Sequence, residues 1–128
     1  MSGSAKYLIP VGFYREFRGG KPHEPSLREV VQVDAQPEDG NIVRYLKMGK
    51  VLIATGGVVG DVLDVEHGII GAPHILTDAT YAWPAILAHY VEHHHIRLPD
   101  EFVSHMARNG WEVPSTIDLH ELRIDRDR

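Results

Sequence analysis

Residues 74–84, with the sequence His-Ile-Leu-Thr-Asp-Ala-Thr-Tyr-Ala-Trp-Pro, carry the clearest structural signal in the chain. Two short apolar runs flank a three-residue break that begins at Asp78. A short carboxylate can accept hydrogen bonds from the backbone that follows it, so Asp78 favours a tight turn. The stretch therefore predicts a β-hairpin. Pro84 predicts a helix directly after it, because proline is favoured in the first turn.

The flanking sequence predicts further short elements. Aromatic and β-branched residues at 6–14 indicate a first strand, and the capping-box spacing of Ser26 and Glu29 indicates a short helix. Helical spacing predicts a helix near 42–48, the apolar run 50–55 a central strand, and residues 69–70 a short strand. Pro99 predicts a last helix, which ends near Asn109. We therefore expect an α+β fold in which a small, mainly antiparallel sheet packs against three to four short helices.

Length and composition predict one domain over residues 1–128, with disordered tails at 1–5 and about 119–128. The chain contains no cysteine, which excludes disulfides and thiolate metal ligands and favours a cytoplasmic location. No apolar run approaches the roughly 18 residues of a membrane span, so a membrane role is not expected.

The middle of the chain is acidic, because residues 51–100 hold one arginine, no lysine and six carboxylates. A nucleic-acid-binding protein would present a basic stripe to phosphates, and none is evident, so we expect no nucleic-acid partner. Part of the acidity comes from Asp61, Asp64, Glu66 and Asp78. The sequence predicts that these four residues form an anionic surface that contacts a basic protein partner.

Residues 89–93 have the His-x-x-Glu-His spacing of inverted zinc peptidases, which offers His89 and His93 as metal ligands and Glu92 as a general base. A helical wheel argues against this hypothesis. It places His89 and Glu92 away from the apolar face formed around Tyr90, so a metal bound there would lie in solvent. His94 falls near the centre of that face. The preferred interpretation is that His89 and His93 are solvated and that no metal or other cofactor is bound.

Other catalytic patterns are incomplete. The glycines at 56, 57 and 60 follow a predicted strand, but valines poor at forming helices come next, where a dinucleotide site requires a helix. No serine lies in the Gly-x-Ser-x-Gly elbow of serine hydrolases. A small-ligand or regulatory domain stays open as a third hypothesis, and it requires a deep apolar pocket.

Residues 77–84, followed by Leu87, Tyr90, Val91 and residues 98–102, resemble a pattern in small bacterial proteins, some of them similar to immunity proteins encoded beside secreted polymorphic toxins. The resemblance covers about residues 45–114. It implies a protein that neutralises a toxin by covering its active site, without catalytic residues of its own. We therefore predict a cytoplasmic, non-catalytic protein-binding domain. The alternative is a small metal-dependent hydrolase that uses His89, Glu92 and His93.

Overall fold

The computed structural model describes residues 5–125. Within this range the chain forms seven strands and three α-helices. In chain order these are β1 (Lys6–Pro10), α1 (Asp39–Lys47), β2 (Lys50–Ile53), β3 (Val59–Gly60), β4 (Ile69–Gly71), β5 (Ile75–Thr77), β6 (Tyr81–Pro84), α2 (Leu87–His94), α3 (Asp100–Arg108) and β7 (Leu122–Ile124). Two 3-10 turns, Leu27–Val30 and Val65–His67, complete the regular structure. The fold class is α+β.

Five strands form a strongly curled half-barrel sheet in the order β2-β5-β6-β1-β7, and β3 and β4 form a separate hairpin. The large sheet is mixed rather than mainly antiparallel, because β1 pairs in parallel with both β6 and β7. It also places β2 at an edge, so the prediction of a central strand at residues 50–55 is wrong. Strand β7 lies within the segment 119–128, for which the sequence predicts a disordered tail. Residues 1–4 and 126–128, which belong to the two predicted tails, lie outside the described residues.

The predicted hairpin is confirmed. Strands β5 and β6 pair antiparallel, with Leu76 opposite Trp83, and Oδ1 of Asp78 accepts hydrogen bonds from the amides of Thr80 and Tyr81 at 3.0 and 2.8 Å. Ala79 takes a left-handed φ of 82° at the tip of the turn. Pro84, however, ends β6 rather than opening the helix, and α2 begins three residues later at Leu87.

The main core lies between the sheet and the three helices. Trp83 on β6 is fully buried beside Tyr45 of α1 and Phe102 of α3, and its indole nitrogen donates to the carbonyl of Leu46 at 3.1 Å. A smaller apolar cluster around Leu8, Ala82 and Leu122 fills the other side of the sheet. These contacts pack α1 and α3 against the hairpin predicted from residues 74–84.

The helix predicted from Ser26 and Glu29 is a 3-10 turn without the predicted capping box. Glu16 occupies the capping role instead, since its carboxylate accepts from the Ser26 hydroxyl at 2.5 Å and from the Leu27 amide at 2.7 Å. Within residues 5–125, no helix is both long enough and apolar enough to cross a membrane.

Candidate functional site

Asp61, His89 and His94 meet at the junction between α2 and the irregular chain before it, and we call these three residues the Asp61 centre. Nε2 of His89 and Nε2 of His94 each lie 2.7 Å from the same oxygen, Oδ2 of Asp61. The side chain of Asp61 is 1% exposed, whereas the imidazoles are 12% and 20% exposed. The carboxylate is therefore buried beneath two rings that still reach solvent.

The local sequence explains why Asp61 holds this position. Its Oδ1 accepts hydrogen bonds from the amides of Leu63 and Asp64 at 2.7 and 3.1 Å, so the carboxylate closes its own turn. The amide of Val62 donates to the hydroxyl of Tyr90 at 2.9 Å. These contacts attach the turn to α2, between the positions that carry the two histidines.

The electrostatics of the centre favour an ionised carboxylate. Burial alone would raise the pKa of Asp61, but the hydrogen bonds from His89 and His94 and from the Leu63 amide outweigh it and lower this pKa from 3.8 to about 2. Burial lowers the pKa of His89, against the opposing effect of its bond to Asp61. Since the carboxylate accepts, each Nε2 carries the donated proton.

Two further imidazoles surround this centre. The His67 ring lies 4.8 Å from the His89 ring and 5.4 Å from that of His93, and the His89 and His93 rings stack at 4.5 Å. The prediction that His89 is solvated is wrong, because residues 61–67 cover it. His93 is half exposed, and Glu92 is half exposed and forms a 3.7 Å ion pair with Lys47.

Within residues 5–125, the Asp61 centre alone brings three potential metal-ligand atoms of His, Asp or Glu within 4.8 Å of one another. The His89, Glu92 and His93 triad suggested by the sequence does not converge in this way. His94, which the helical wheel placed near the centre of the apolar face, takes the position beside His89 that was expected of His93. Asp61 was singled out for its charge alone, because nothing in the sequence links it to residues 28 and 33 positions later.

The four residues of the predicted acidic surface separate into two pairs. Asp61 and Asp78 are 3% and 1% exposed and are not available to a partner's surface. Asp64 and Glu66 are exposed and lie beside each other around the 3-10 turn Val65–His67, where Oδ1 of Asp64 caps the amide of Glu66 at 3.2 Å.

Asp78 forms a second buried cluster. Its Oδ2 accepts from the hydroxyl of Tyr45 and lies 3.0 Å from Nε2 of His105. Asn109 donates to the same Tyr45 hydroxyl at 3.0 Å. We call Asp78, Tyr45, His105 and Asn109 the Asp78 cluster. It joins the hairpin turn to α1 and α3.

An apolar cleft of about 620 Å³ opens next to the chain that leads to Asp61. One wall comes from residues 55–62 and the other from the loop after β1, and the lining includes Phe17, Ile86 and Tyr90. Arg18 supplies the charged group of the lining, and the buried hydroxyl of Thr55 has no hydrogen-bond partner there. The cleft has the size and polarity of a site for a small ligand or for an inserted side chain.

The chain matches no protein-family model, and comparisons with curated proteins and with solved structures find no match either.

Proposed function

We propose that this protein is a non-catalytic domain that binds another protein and, following the resemblance of residues 45–114, that the partner is a bacterial toxin whose active site it covers. The proposal is supported by the exposed surface of residues 58–69, which we call the projecting segment. This segment combines exposed aliphatic side chains, exposed carboxylates and a buried part that hydrogen bonds hold against α2.

The aliphatic side chains of the projecting segment are unusually open to solvent. Val65 is 85% exposed, Ile69 70% and Val58 49%. Single exposed apolar residues are common on protein surfaces, but several on one short segment mark an interaction site. Asp64 and Glu66 are exposed on the same segment, on either side of Val65 in the chain, and we call these two residues the acidic rim. Such a rim favours a basic partner.

The apolar cleft is continuous with this segment. Gly60 lines the cleft and pairs with Ile69 in the β3-β4 hairpin. A partner that packs on Ile69 can therefore insert an apolar or aromatic side chain into the cleft. Interfaces gain most of their affinity from a few anchors of this kind.

The buried part of the projecting segment is held against α2 before any partner binds. Asp61 closes the turn and is bonded to two histidines of α2, and Val62 is bonded to Tyr90. A loop that is already ordered loses less conformational entropy on binding. The buried Asp61 thus supports the binding surface without contacting the partner.

The test uses the toxin-like protein encoded by a gene adjacent to that of this chain, purified separately and titrated by calorimetry. We expect a tight complex that Val65→Asp weakens by about 30-fold or more, as for an anchor residue that contributes about 2 kcal/mol. The matched control is Val33→Asp, because Val33 is 93% exposed but lies outside the segment. The proposal fails if the two proteins do not associate, or if both variants have the same effect.

The acidic rim is tested by charge reversal at Asp64 and Glu66. We expect the double variant Asp64→Lys and Glu66→Lys to slow association and to reduce its dependence on salt, because rim charges act mainly on the association rate. An unchanged association rate would show that Asp64 and Glu66 do not contribute to the interface.

A small apolar acid bound in the cleft is the second candidate function. Two groups in the lining favour this function: the Thr55 hydroxyl, which has no hydrogen-bond partner, and the guanidinium of Arg18, which can bind a carboxylate. We expect octanoate to raise the melting temperature of the wild type and not that of Arg18→Gln. No shift in either protein would exclude octanoate-like acids.

A further inference from the structure

We propose that the Asp61 centre binds one divalent transition-metal ion through Nε2 of His89, Nε2 of His94 and Oδ2 of Asp61. The inference rests on the arrangement of these three side chains and is independent of the proposed protein-binding function. It also differs from the inverted-peptidase hypothesis, which used His93 in place of His94 and a base at Glu92.

The donor set selects the class of ion. Two imidazoles and one carboxylate suit Zn²⁺, Co²⁺, Ni²⁺ and Fe²⁺, whereas Ca²⁺ and Mg²⁺ prefer oxygen ligands alone. Both imidazole nitrogens already face one carboxylate oxygen, and the three ligand atoms lie within 4.8 Å of one another. The convergence comes from two separate parts of the chain, so it is not a consequence of helical spacing alone.

Only a small rearrangement is required to admit the ion. Metal bonds of about 2.1 Å place neighbouring ligand atoms about 3.0 to 3.4 Å apart in octahedral or tetrahedral geometry. The two nitrogens are now 2.7 Å from Oδ2, so each N–O separation must increase by less than about 1 Å, and the two nitrogens lie within 4.8 Å of each other. Both rings are partly exposed, and water can therefore reach the remaining coordination positions.

The surroundings orient the ligands before an ion binds. The amides of Leu63 and Asp64 hold Oδ1 of Asp61, which turns Oδ2 toward the histidines. The ring of His67 packs on that of His89 at 4.8 Å, and the ring of His94 stacks on Tyr90 at 5.7 Å. Partners of this kind, outside the ligand set, commonly fix ligand orientation in metal sites.

The competing site is a surface chelate formed by His89 and His93, which lie one helical turn apart and stack on each other. Both sites share His89, so a variant at this position does not separate them. His93 and His94 do separate them, because only His94 contacts Asp61. This pair of neighbouring histidines supplies a matched test and control.

The experiment uses the full chain without an affinity tag, treated with EDTA and dialysed. It is titrated with Co²⁺, followed by visible absorption, and with Zn²⁺, followed by calorimetry and melting temperature. We expect one ion per chain, d–d bands in the Co²⁺ form and a higher melting temperature with Zn²⁺. His94→Gln should weaken Zn²⁺ binding by at least about tenfold, which is 1.4 kcal/mol. His93→Gln and Glu92→Gln should leave the affinity within about twofold of the wild type.

Three outcomes would overturn the inference. The wild type could fail to bind Zn²⁺ in a one-to-one ratio, His93→Gln could weaken binding as much as His94→Gln, or His94→Gln could leave binding unchanged. Asp61→Asn adds a second variant at the carboxylate, checked for folding by circular dichroism. If it does not fold, the His93 and His94 variants alone decide. The partner titration is to be run on EDTA-treated protein, so that failure here leaves the protein-binding proposal intact.

Discussion

Asp61 and Asp78 are two buried aspartates that are built into the fold in the same way. In each, Oδ1 accepts from two backbone amides of its own turn, and Oδ2 faces two side-chain donors. The donors differ. Oδ2 of Asp61 meets two imidazoles, whereas Oδ2 of Asp78 meets one imidazole and the phenol of Tyr45.

This difference in donors distinguishes a structural cluster from a candidate binding site. Burial, and then the hydrogen bond to Asp78 and its charge, raise the pKa of Tyr45, so the phenol stays a proton donor. The Asp78 cluster therefore ties α1 and α3 to the hairpin through hydrogen bonds. At the Asp61 centre both donors are imidazoles that reach solvent, and each can exchange its proton for a metal ion.

The largest expected effect is on stability when the two carboxylates are removed in turn. Asp78→Ala leaves two amides, the fully buried phenol of Tyr45 and the partly exposed imidazole of His105 without their acceptor, and we expect a loss of about 3 to 5 kcal/mol in the free energy of unfolding. Asp61→Ala should cost less, about 2 to 3 kcal/mol, because water can reach His89 and His94. Urea denaturation measures both.

The control for this pair is Asp34→Ala. Asp34 is exposed, and its removal should change the free energy of unfolding by less than about 0.5 kcal/mol. Equal losses for the two buried aspartates would show that solvent access does not distinguish them.

The next effect concerns acid stability of the metal-free protein. The folded-state pKa of Asp61 is about 2, below its ordinary 3.8, so the folded chain holds this proton less tightly than the unfolded chain. Its stabilising contribution is therefore complete above about pH 5 and is lost as the pH falls through 3.8 toward 2. This amounts to about 2 kcal/mol.

Asp61→Asn removes the titrating group and supplies the comparison. The advantage of the wild type over the variant should shrink by about 2 kcal/mol between pH 5 and pH 2, measured by urea denaturation at each pH. An advantage that stays constant across this range would show that the folded structure does not lower the pKa of Asp61.

A smaller effect tests the phenol of the Asp78 cluster. Tyr45→Phe removes a hydroxyl that donates to Asp78 and accepts from Asn109, and we expect a loss of about 1 to 2 kcal/mol by thermal or urea denaturation. Zn²⁺ affinity should be unaffected, since Tyr45 is not part of the Asp61 centre. A loss of metal binding in this variant would show that the two aspartate clusters are coupled.

The two clusters also differ in how far the sequence predicted them. The turn at Asp78 was predictable because its hydrogen bonds run to residues two and three positions later, within the same short pattern. The helices near 42–48 and 99–109 were likewise predicted from local spacing. The parallel pairing of β1 with β6 and β7 was not, because no local pattern specifies which distant strand lies alongside.

The Asp61 centre escaped prediction for a related reason. A helical wheel gives the direction of a side chain relative to the apolar face of its own helix, but it does not show which other segment lies above it. The wheel placed His94 near the centre of the apolar face, and in the structure the ring stacks on Tyr90 while its Nε2 contacts Asp61. It placed His89 in solvent because residues 58–71, mixed in glycine and valine, gave no periodic signal that they would return over α2.

The smallest expected effect lies just outside the Asp61 centre. Glu92 forms a 3.7 Å ion pair with Lys47, but both side chains are at least half exposed, and such pairs contribute little. Glu92→Gln should therefore change the free energy of unfolding by less than about 0.5 kcal/mol. A loss above about 1 kcal/mol would mean that Glu92 has a role in the Asp61 centre that its position in the structure does not explain. In that case, the exposure of a side chain on α2 would not be enough to place it outside the Asp61 centre.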